Sequence, residues 1–172
     1  MQEVVAPGVG GMLAVMGLSP EQLQSLCAAM PHGGVEVAAS NSPVQSVLAG
    51  PLLALNAFQE CAEAAGARQC VPLKVSAPFH TQVLRSAGER LRVALDAVRL
   101  EPPRFPVFQN VDASATNSSE EIKEKLVQQV SMPVRWVDCV EAMRAKGATH
   151  FVELGPGRSL TGLIKKCDRK LD

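Results

Sequence analysis

The residue best suited to acid–base chemistry in this sequence is His80, in the stretch VSAPFHTQVL (residues 75–84). It follows a short apolar segment that is predicted to be a strand, and open α/β folds place their active sites beyond the carboxyl ends of strands. An imidazole has an ordinary pKa of about 6.5, so it can act as a general base near neutral pH. Two interpretations of His80 stay open: a catalytic base, or a loop residue with a packed ring. His32 and His150 are interpreted as structural.

A nucleophile to accompany His80 is not evident. The motif G-x-S-x-G, which holds a serine on a sharp strand-to-helix turn, is absent, and the string GRSLTG (residues 157–162) is one residue too long. Ser76 and Cys70 precede His80 without a sharp glycine turn, and Cys70 is expected to be a small core residue. A hydrolase that uses Ser76 or Cys70 with His80 is therefore the weakest of the three functions considered below.

The stretch ELGPGRSL (residues 153–160) is a glycine-rich connection from a predicted strand to a predicted helix. Free N–H groups at a helix N-terminus can bind an anion. The stretch lacks both the G-x-G-x-x-G pattern and the P-loop lysine pattern, so a tight turn is favoured over a phosphate site.

Composition sets the class of protein. The chain has 172 residues, of which 47% are hydrophobic and 3% aromatic, which predicts one ordinary domain or two small ones with a core of Ala, Val and Leu. The five cysteines are scattered without a C-x-x-C, which argues against a zinc cluster and favours a reducing, intracellular compartment. No apolar run is long enough for a membrane helix and no secretory signal is visible.

The charges are unevenly placed along the chain. Residues 1–67 carry five acidic residues and no Lys or Arg, so the remainder carries all 17 basic residues and 12 of the 17 acidic ones. A solvated helix face is the favoured interpretation of the basic C-terminal end, and a surface for an anionic partner or a phosphate is the alternative. The basic residues at that end are Arg158, Lys165, Lys166, Arg169 and Lys170.

Hydrophobic periodicity and turn residues predict the element order β-α-β-β-α-β for the first half, which is the ferredoxin-like arrangement. Ser19 and Gln22 form a predicted capping box with Pro20 in the first turn, and Gly66 is the expected end of the second helix. The predicted strands are Gly11–Gly17, Val35–Ala39, Val44–Gly50 and Cys70–Val75, and the predicted helices begin at Ser19 and near Pro51.

The second half predicts alternating helices and strands, which is typical of parallel strands covered by helices. The predicted strands are Phe105–Val111 and His150–Leu154, and the predicted helices follow His80, begin at Ser118, run from about Trp136 to Gly147, and begin near Ser159. Two or three strands are too few for a stable open sheet.

Six stretches occur in one order along residues 1 to about 167: GGMLAVMGL, NSPVQSVLAG, VSAPFHT, FPVFQNVDA, LVQQVSMPVRW and FVELGPGRSLTGLIKK. Together they closely resemble the malonyl-CoA:acyl carrier protein transacylase family of type II fatty-acid synthesis. The resemblance implies an α/β fold in two parts. Residues 11–76 would be a ferredoxin-like small subdomain, and residues 77–172 the C-terminal part of a large α/β-hydrolase-like acyltransferase subdomain.

The resemblance also implies catalytic roles. His80 matches the histidine that deprotonates a serine hydroxyl and then helps the carrier thiol to attack the acyl-enzyme. Gln129 matches the residue whose backbone carbonyl orients that histidine, as an aspartate does in hydrolase triads. Phe79 matches the pattern of malonyl-selective members.

Four further residues match substrate-binding positions of the family. Asn41 and Gln45 would line the channel for the acyl group and pantetheine, and Met1 would line the acyl pocket. Arg68 would lie near the phosphates of the carrier or of coenzyme A, although the next residue is Gln69 rather than a second basic residue.

The family's other catalytic motifs, a G-Q-G-S-Q glutamine, a G-H-S-x-G serine and a malonyl-binding arginine, would all precede Met1. The isolated chain is therefore expected to be inactive. A truncated gene model, an internal start and a partner chain that supplies the first half all remain open.

The implied substrates are malonyl-CoA and the 4′-phosphopantetheine thiol of acyl carrier protein, with no cofactor, metal, nucleic acid or membrane. Family members are usually monomeric. The location would be cytoplasmic in a bacterium, or mitochondrial or plastidic in a eukaryote. The alternative from another class is a non-catalytic module that binds the carrier protein.

Overall fold

The computed structural model describes residues 5–6, 8–30, 34–169 and 171 of the chain. The predicted site residue Met1 and the turn residue His32 lie outside the described residues. The described part is an α/β structure. Its strands are β1 (Gly10–Met16), β2 (Glu36–Ser42), β3 (Gln45–Pro51), β4 (Gln69–Pro72), β5 (Val107–Phe108) and β6 (Ala115–Thr116). Its helices are α1 (Pro20–Ala29), α2 (Leu52–Ala64), α3 (Arg85–Asp96), α4 (Ser119–Gln128), α5 (Trp136–Ala145) and α6 (Ser159–Cys167).

The first half contains a four-stranded sheet in the order β2-β3-β1-β4, and each of its strand pairs is antiparallel. Successive side chains of a strand point to opposite faces, so the sheet has two apolar faces. On one face, Leu13 and Leu48 pack with Phe58 of α2 and Leu23 of α1. The other face packs against residues of the second half, including Phe79 and Val134.

Local signals explain the helix ends in this half. The Ser19 hydroxyl accepts a hydrogen bond from the backbone N–H of Gln22, and the Gln22 side chain bonds the Ser19 backbone in return, so the predicted capping box is confirmed. Gly66 follows α2 with a φ of 94°, a left-handed conformation that glycine adopts without steric cost. The predicted elements of the first half are all present, with ends that differ by a few residues.

The prediction of parallel strands in the second half is wrong for the described residues. β5 pairs with β6 in an antiparallel ribbon of two residues each, and residues 150–154 form no strand. A strand needs a partner to satisfy its backbone groups, and within the described chain no strand is hydrogen-bonded to this segment. Val152 and Leu154 are consequently 81% and 90% exposed.

The two halves are joined at the edge of the sheet. Val134 accepts a hydrogen bond from the Ser40 N–H at 2.9 Å and donates one to the Ala38 carbonyl at 2.9 Å. Phe79 packs against the sheet and also against an apolar cluster that includes Leu84, Ala87 of α3 and Val130. The division into subdomains at residues 76 and 77 stays a prediction. Among the described helices, none combines the length and apolarity needed to cross a membrane.

Candidate functional site

His80 lies in a tight loop between β4 and α3. Its φ of 62° is in the left-handed region, which side chains other than glycine seldom adopt but which His visits more often than most. Three neighbours hold the loop. The buried Thr81 hydroxyl donates to the Pro78 carbonyl at 2.7 Å, and Pro78 packs so closely on Gly10 that a Cβ there would stand 2.9 Å from its ring. Such strain persists only where surrounding packing enforces it, and it is common at active sites.

The His80 ring is bonded to Gln129, 49 residues away along the chain. Its Nδ1 lies 3.0 Å from the Gln129 backbone carbonyl oxygen. A carbonyl can only accept a hydrogen bond, so Nδ1 must carry the proton. In the neutral ring, Nε2 is then the nitrogen with a free lone pair. The geometry therefore leaves Nε2 available to take a proton from a group in front of it.

The Gln129 carbonyl stands at a helix C-terminus, where the last carbonyls have no partner within the helix, and a proline follows it. Gln129 is the C-cap residue that follows α4, and a carbonyl inside a helix is bonded by the N–H four residues later. That position is Pro133, which has no N–H.

Packing between α3 and α4 sets the distance between His80 and Gln129. Gly88 of α3 approaches α4 so closely that a Cβ would stand 3.1 Å from the Val127 carbonyl oxygen. One turn further along, the Arg92 guanidinium makes two hydrogen bonds to the Glu124 carboxylate, at 2.5 and 3.0 Å. The paired, planar geometry of this contact fixes the orientation of the two helices.

Gln82 is a residue of this site that the sequence did not indicate. Its amide donates to the Ser131 carbonyl oxygen at 3.4 Å and contacts the Met132 sulfur at 3.6 Å. The contact lies two residues beyond His80 on one segment and two beyond Gln129 on the other. An exposed glutamine carries no pattern from which this cross-link could be predicted.

The structure brings neither Ser76 nor Cys70 to the His80 ring. Within the described residues, the hydrogen bond to Gln129 is the one that involves that ring. Ser76 is exposed beyond β4. Burial raises the pKa of the Cys70 thiol, with a further increase from the Glu63 charge, so the reactive thiolate is disfavoured. These contacts do not support the interpretation as a hydrolase.

The predicted substrate residues lie around the sheet. Gln45 is two and four residues before Val47 and Ala49 in β3, so its side chain is on the same face of the sheet as theirs. Phe79 packs against that face. The Gln45 side-chain oxygen accepts a hydrogen bond from Lys166 at 2.8 Å, and the Asn41 carbonyl lies 3.9 Å from the Cys167 sulfur. Both therefore contact α6. Their binding roles stay predictions.

Arg68 is exposed at the end of β1, where its backbone N–H donates to the Met16 carbonyl at 2.7 Å. Met16 is also the strand partner of Gln45, so both predicted substrate residues lie at one end of the sheet. Met1 lies outside the described residues. The contact of Arg68 with phosphates stays a prediction.

The glycine-rich stretch holds a carboxylate of the chain itself. Glu153 accepts hydrogen bonds from the backbone N–H groups of Leu160 and Thr161, at 3.1 and 2.9 Å, and from the Thr161 hydroxyl at 2.7 Å. The backbone bond from Thr161 is the main reason that the pKa of Glu153 lies below its ordinary value. The anion-binding position at the start of α6 is thus occupied, in agreement with a tight turn.

No protein-family model matches the chain. The malonyl CoA-acyl carrier protein transacylase of Bacillus subtilis is 37% identical over an alignment of 173 positions, which covers 99% of this chain and 55% of that protein. The acyl-carrier-protein S-malonyltransferase of Burkholderia pseudomallei superposes with a TM-score of 0.95 at 40% identity, over 99% of this chain and 56% of that one.

A third relative is a malonyl-transacylase solved in complex with the acyl carrier protein of a type II PKS, with a TM-score of 0.94 and 38% identity. The chain spans about half the length of these relatives, 55% in this case. Sequence and fold agree over nearly the whole chain. Over nearly its whole length the chain is therefore similar to the C-terminal part of malonyl CoA-acyl carrier protein transacylases.

Proposed function

We propose that this chain supplies the general base of a malonyl transfer from malonyl-CoA to the phosphopantetheine thiol of acyl carrier protein. The observation that carries the proposal is the hydrogen bond between His80 Nδ1 and the Gln129 carbonyl, which leaves Nε2 to exchange protons. The kinship with transacylases, one of them bound to a carrier protein, supplies the substrate class. The serine nucleophile would come from the N-terminal part that the relatives have in addition.

The proposed reaction has two matched proton transfers. His80 Nε2 takes the serine proton while the serine oxygen attacks the malonyl thioester carbonyl, and the proton leaves with the coenzyme A thiol. His80 then takes the proton of the carrier thiol while the thiol sulfur attacks the acyl-serine carbonyl. The serine oxygen leaves as the acyl group is transferred and receives the proton from His80. The products are malonyl carrier protein and coenzyme A, with no change in oxidation state.

A fusion protein tests this role. The N-terminal part of the Bacillus subtilis relative, joined ahead of this chain, should transfer malonyl groups to carrier protein. His80→Ala should lower kcat by a factor on the order of 10⁴, because nucleophile and base act as a unit. Gln129→Ala is the matched control and should retain most activity, because the backbone carbonyl that orients His80 remains. Full activity of the His80→Ala fusion would refute the role of the base.

The 172-residue chain alone is proposed to be inactive, since it offers a base without a credible nucleophile. The measurement is malonyl transfer to carrier protein by the purified chain. Clear turnover that His80→Ala abolishes would contradict the proposal.

The selectivity residues are part of the same proposal. Phe79 would favour malonyl, and Asn41, Gln45 and Arg68 would face the acyl-pantetheine substrate. What supports this is that Gln45 and Arg68 lie at one end of the sheet, that Gln45 is on the face covered by Phe79, and that Asn41 and Gln45 both contact α6. The order β2-β3-β1-β4 with antiparallel pairs supports a ferredoxin-like assignment of this subdomain. Five free cysteines fit a reducing, intracellular compartment.

A carrier-binding module is the second candidate, favoured by the exposed basic residues around α6. Carrier proteins that are acidic would bind such a surface through charge, and salt would weaken that binding. A titration of the chain with carrier protein at low and at high salt tests it. Binding without transfer in the fusion protein would favour this function over the enzymatic one.

A further inference from the structure

The loop that carries His80 is a turn with a residue in an unfavourable conformation. Residues 79 and 80 form a turn between Pro78 and Thr81, and His80, the third residue of the four, has a φ of 62°. Turns with a positive φ at the third position usually have Gly or Asn there, because a Cβ crowds the backbone. The residue types of the turn therefore do not by themselves hold His80 in this conformation.

The Thr81 side chain closes the turn. Its hydroxyl donates a hydrogen bond of 2.7 Å to the carbonyl of Pro78, the first residue of the same turn. Thr81 is 1% exposed, so the bond lies in surroundings of low dielectric, where it is stronger than in water. The hydroxyl thus joins the two ends of the turn on either side of Phe79 and His80.

Of these two ends, Pro78 is the one that packing fixes. Its ring lies against Gly10, where an added Cβ would stand 2.9 Å from it. Thr81, by contrast, borders a cavity of about 70 Å³ that Val5 and Val83 also line. Empty space provides no contacts that resist movement, so a turn without the hydroxyl bond has room to relax on this side.

The position of the His80 ring depends on the turn. Its Nδ1 lies 3.0 Å from the Gln129 carbonyl oxygen, and a displacement of about 1 Å would take the two atoms beyond hydrogen-bond distance. We propose that Thr81 is the positioning residue of the base: its hydroxyl holds His80 at a positive φ and thereby directs Nδ1 to Gln129. The inference rests on the proposed function, in which His80 is the base, and Thr81 acts through His80 rather than on the substrate.

Two variants separate the hydroxyl of Thr81 from its packing. Thr81→Val keeps nearly the same shape and removes the donor, whereas Thr81→Ser keeps the donor and removes the methyl group. A space-filling role for Thr81 predicts that Thr81→Ser disturbs the site more than Thr81→Val does. The proposed positioning role predicts the opposite order.

Nitrogen-15 NMR of the 172-residue chain measures the ring directly, because the shifts of the two ring nitrogens report which of them carries the proton. In the unaltered chain and in Thr81→Ser, His80 should keep its proton on Nδ1. In Thr81→Val that proton should exchange with water about tenfold faster, as the loss of one hydrogen bond implies. The His80→Ala spectrum identifies the signals, and His150, whose Nδ1 is bonded to the Thr149 hydroxyl, is an internal reference.

Thr116 supplies the matched control, because it is also buried and its hydroxyl is bonded to Glu121. Thr116→Val should lower the melting temperature and leave the His80 signals unchanged. In the fusion protein, Thr81→Val should lower kcat by a factor of about 10 to 100 with little change in KM, because a displaced base impairs the reaction and not substrate binding. Thr81→Ser should keep most of the kcat.

Unchanged His80 signals in Thr81→Val would overturn the proposal. Equal losses in Thr81→Val and Thr81→Ser would also overturn it, because the effect would then follow packing. If Thr81→Val does not fold, Thr81→Ser and Thr81→Ala give the same comparison, since they differ in the hydroxyl alone. If Thr81→Val releases the ring while the unaltered fusion transfers no malonyl group, the proposed function fails and the positioning role stands.

Discussion

The backbone of His80 is strained, and the hydrogen bond of its ring to Gln129 offsets the cost of that strain. His80 has a φ of 62°, in the left-handed region, where the Cβ of an L residue lies too close to the following carbonyl oxygen. Glycine has no Cβ and avoids this contact. We therefore expect His80→Gly to be more stable than His80→Ala by about 1 kcal/mol. Urea unfolding of the two variants measures the difference.

The control for this comparison is an ordinary helical position. Ser86 is exposed in α3, where glycine lowers stability relative to alanine by about 1 kcal/mol. Ser86→Gly should therefore be less stable than Ser86→Ala, the opposite order to His80. The same order at both positions would show that the backbone at residue 80 is relaxed.

Glu153 makes stability depend on pH. Its pKa is lowered from the ordinary value of 4.5, first by the backbone N–H of Thr161 and next by the Thr161 hydroxyl. A lowered folded-state pKa contributes stability that is fully present above the unfolded-state pKa and is lost as pH falls through the folded-state value. The melting temperatures of the unaltered chain and of Glu153→Gln should differ most above about pH 5 and converge in acid.

Thr161→Val tests the cause of that pH dependence. It removes the hydroxyl donor and keeps the backbone N–H, so its melting temperature should fall between those of the other two proteins at neutral pH. Parallel melting curves for the unaltered chain and Glu153→Gln down to acid pH would contradict the assigned role of the carboxylate.

At the scale of elements, the α3–α4 contact determines whether His80 reaches its acceptor. Gly88→Ala would place a Cβ 3.1 Å from the Val127 carbonyl oxygen, which forces the helices apart. We expect a loss of about 1 kcal/mol in the free energy of unfolding. The ¹⁵N signal of His80 Nδ1 should also move as its hydrogen bond lengthens.

Gly162→Ala is the matched control, because Gly162 is in the helix α6 with no atom within 4 Å of an added Cβ. There the same substitution should raise stability, by up to about 1 kcal/mol, and leave the His80 signal unchanged. A stabilising Gly88→Ala would show that the two helices have room to spare.

At the scale of the whole molecule, the sheet and the second half are expected to unfold together. Val134 is bonded to Ala38 and Ser40, and Phe79 packs against both parts. Phe58→Ala empties a fully buried site in the first half and should cost about 3–5 kcal/mol. Trp136 lies in the second half, so its fluorescence should report the same loss as far-UV circular dichroism.

Different transitions by the two probes would contradict this coupling. If Phe58→Ala shifted the circular dichroism transition and left the Trp136 transition in place, the two halves would be independent folding units. That result would support a division near residue 76 in stability as well as in sequence.

The local part of the fold could be predicted from sequence because its signals are local. A capping box at Ser19, a glycine after α2 and a continuous apolar run along β1 each act within a few residues, and the structure has the corresponding elements. His80 could be selected as a candidate for the same reason. The ordered motifs indicated the resemblance to malonyl-CoA:acyl carrier protein transacylases, and the comparisons find the same similarity.

Tertiary structure decided what depends on partners distant in sequence. The bond from His80 to Gln129 spans 49 residues and uses a backbone carbonyl, which has no residue signature of its own. The carboxylate of Glu153 fills the position where an anion was considered. Residues 150–154 have strand sequence but form no strand, because pairing needs a neighbour that the described chain does not place there. Sequence by itself thus determined the elements of the first half and singled out His80 as a candidate base, whereas the assembled packing decided which groups meet.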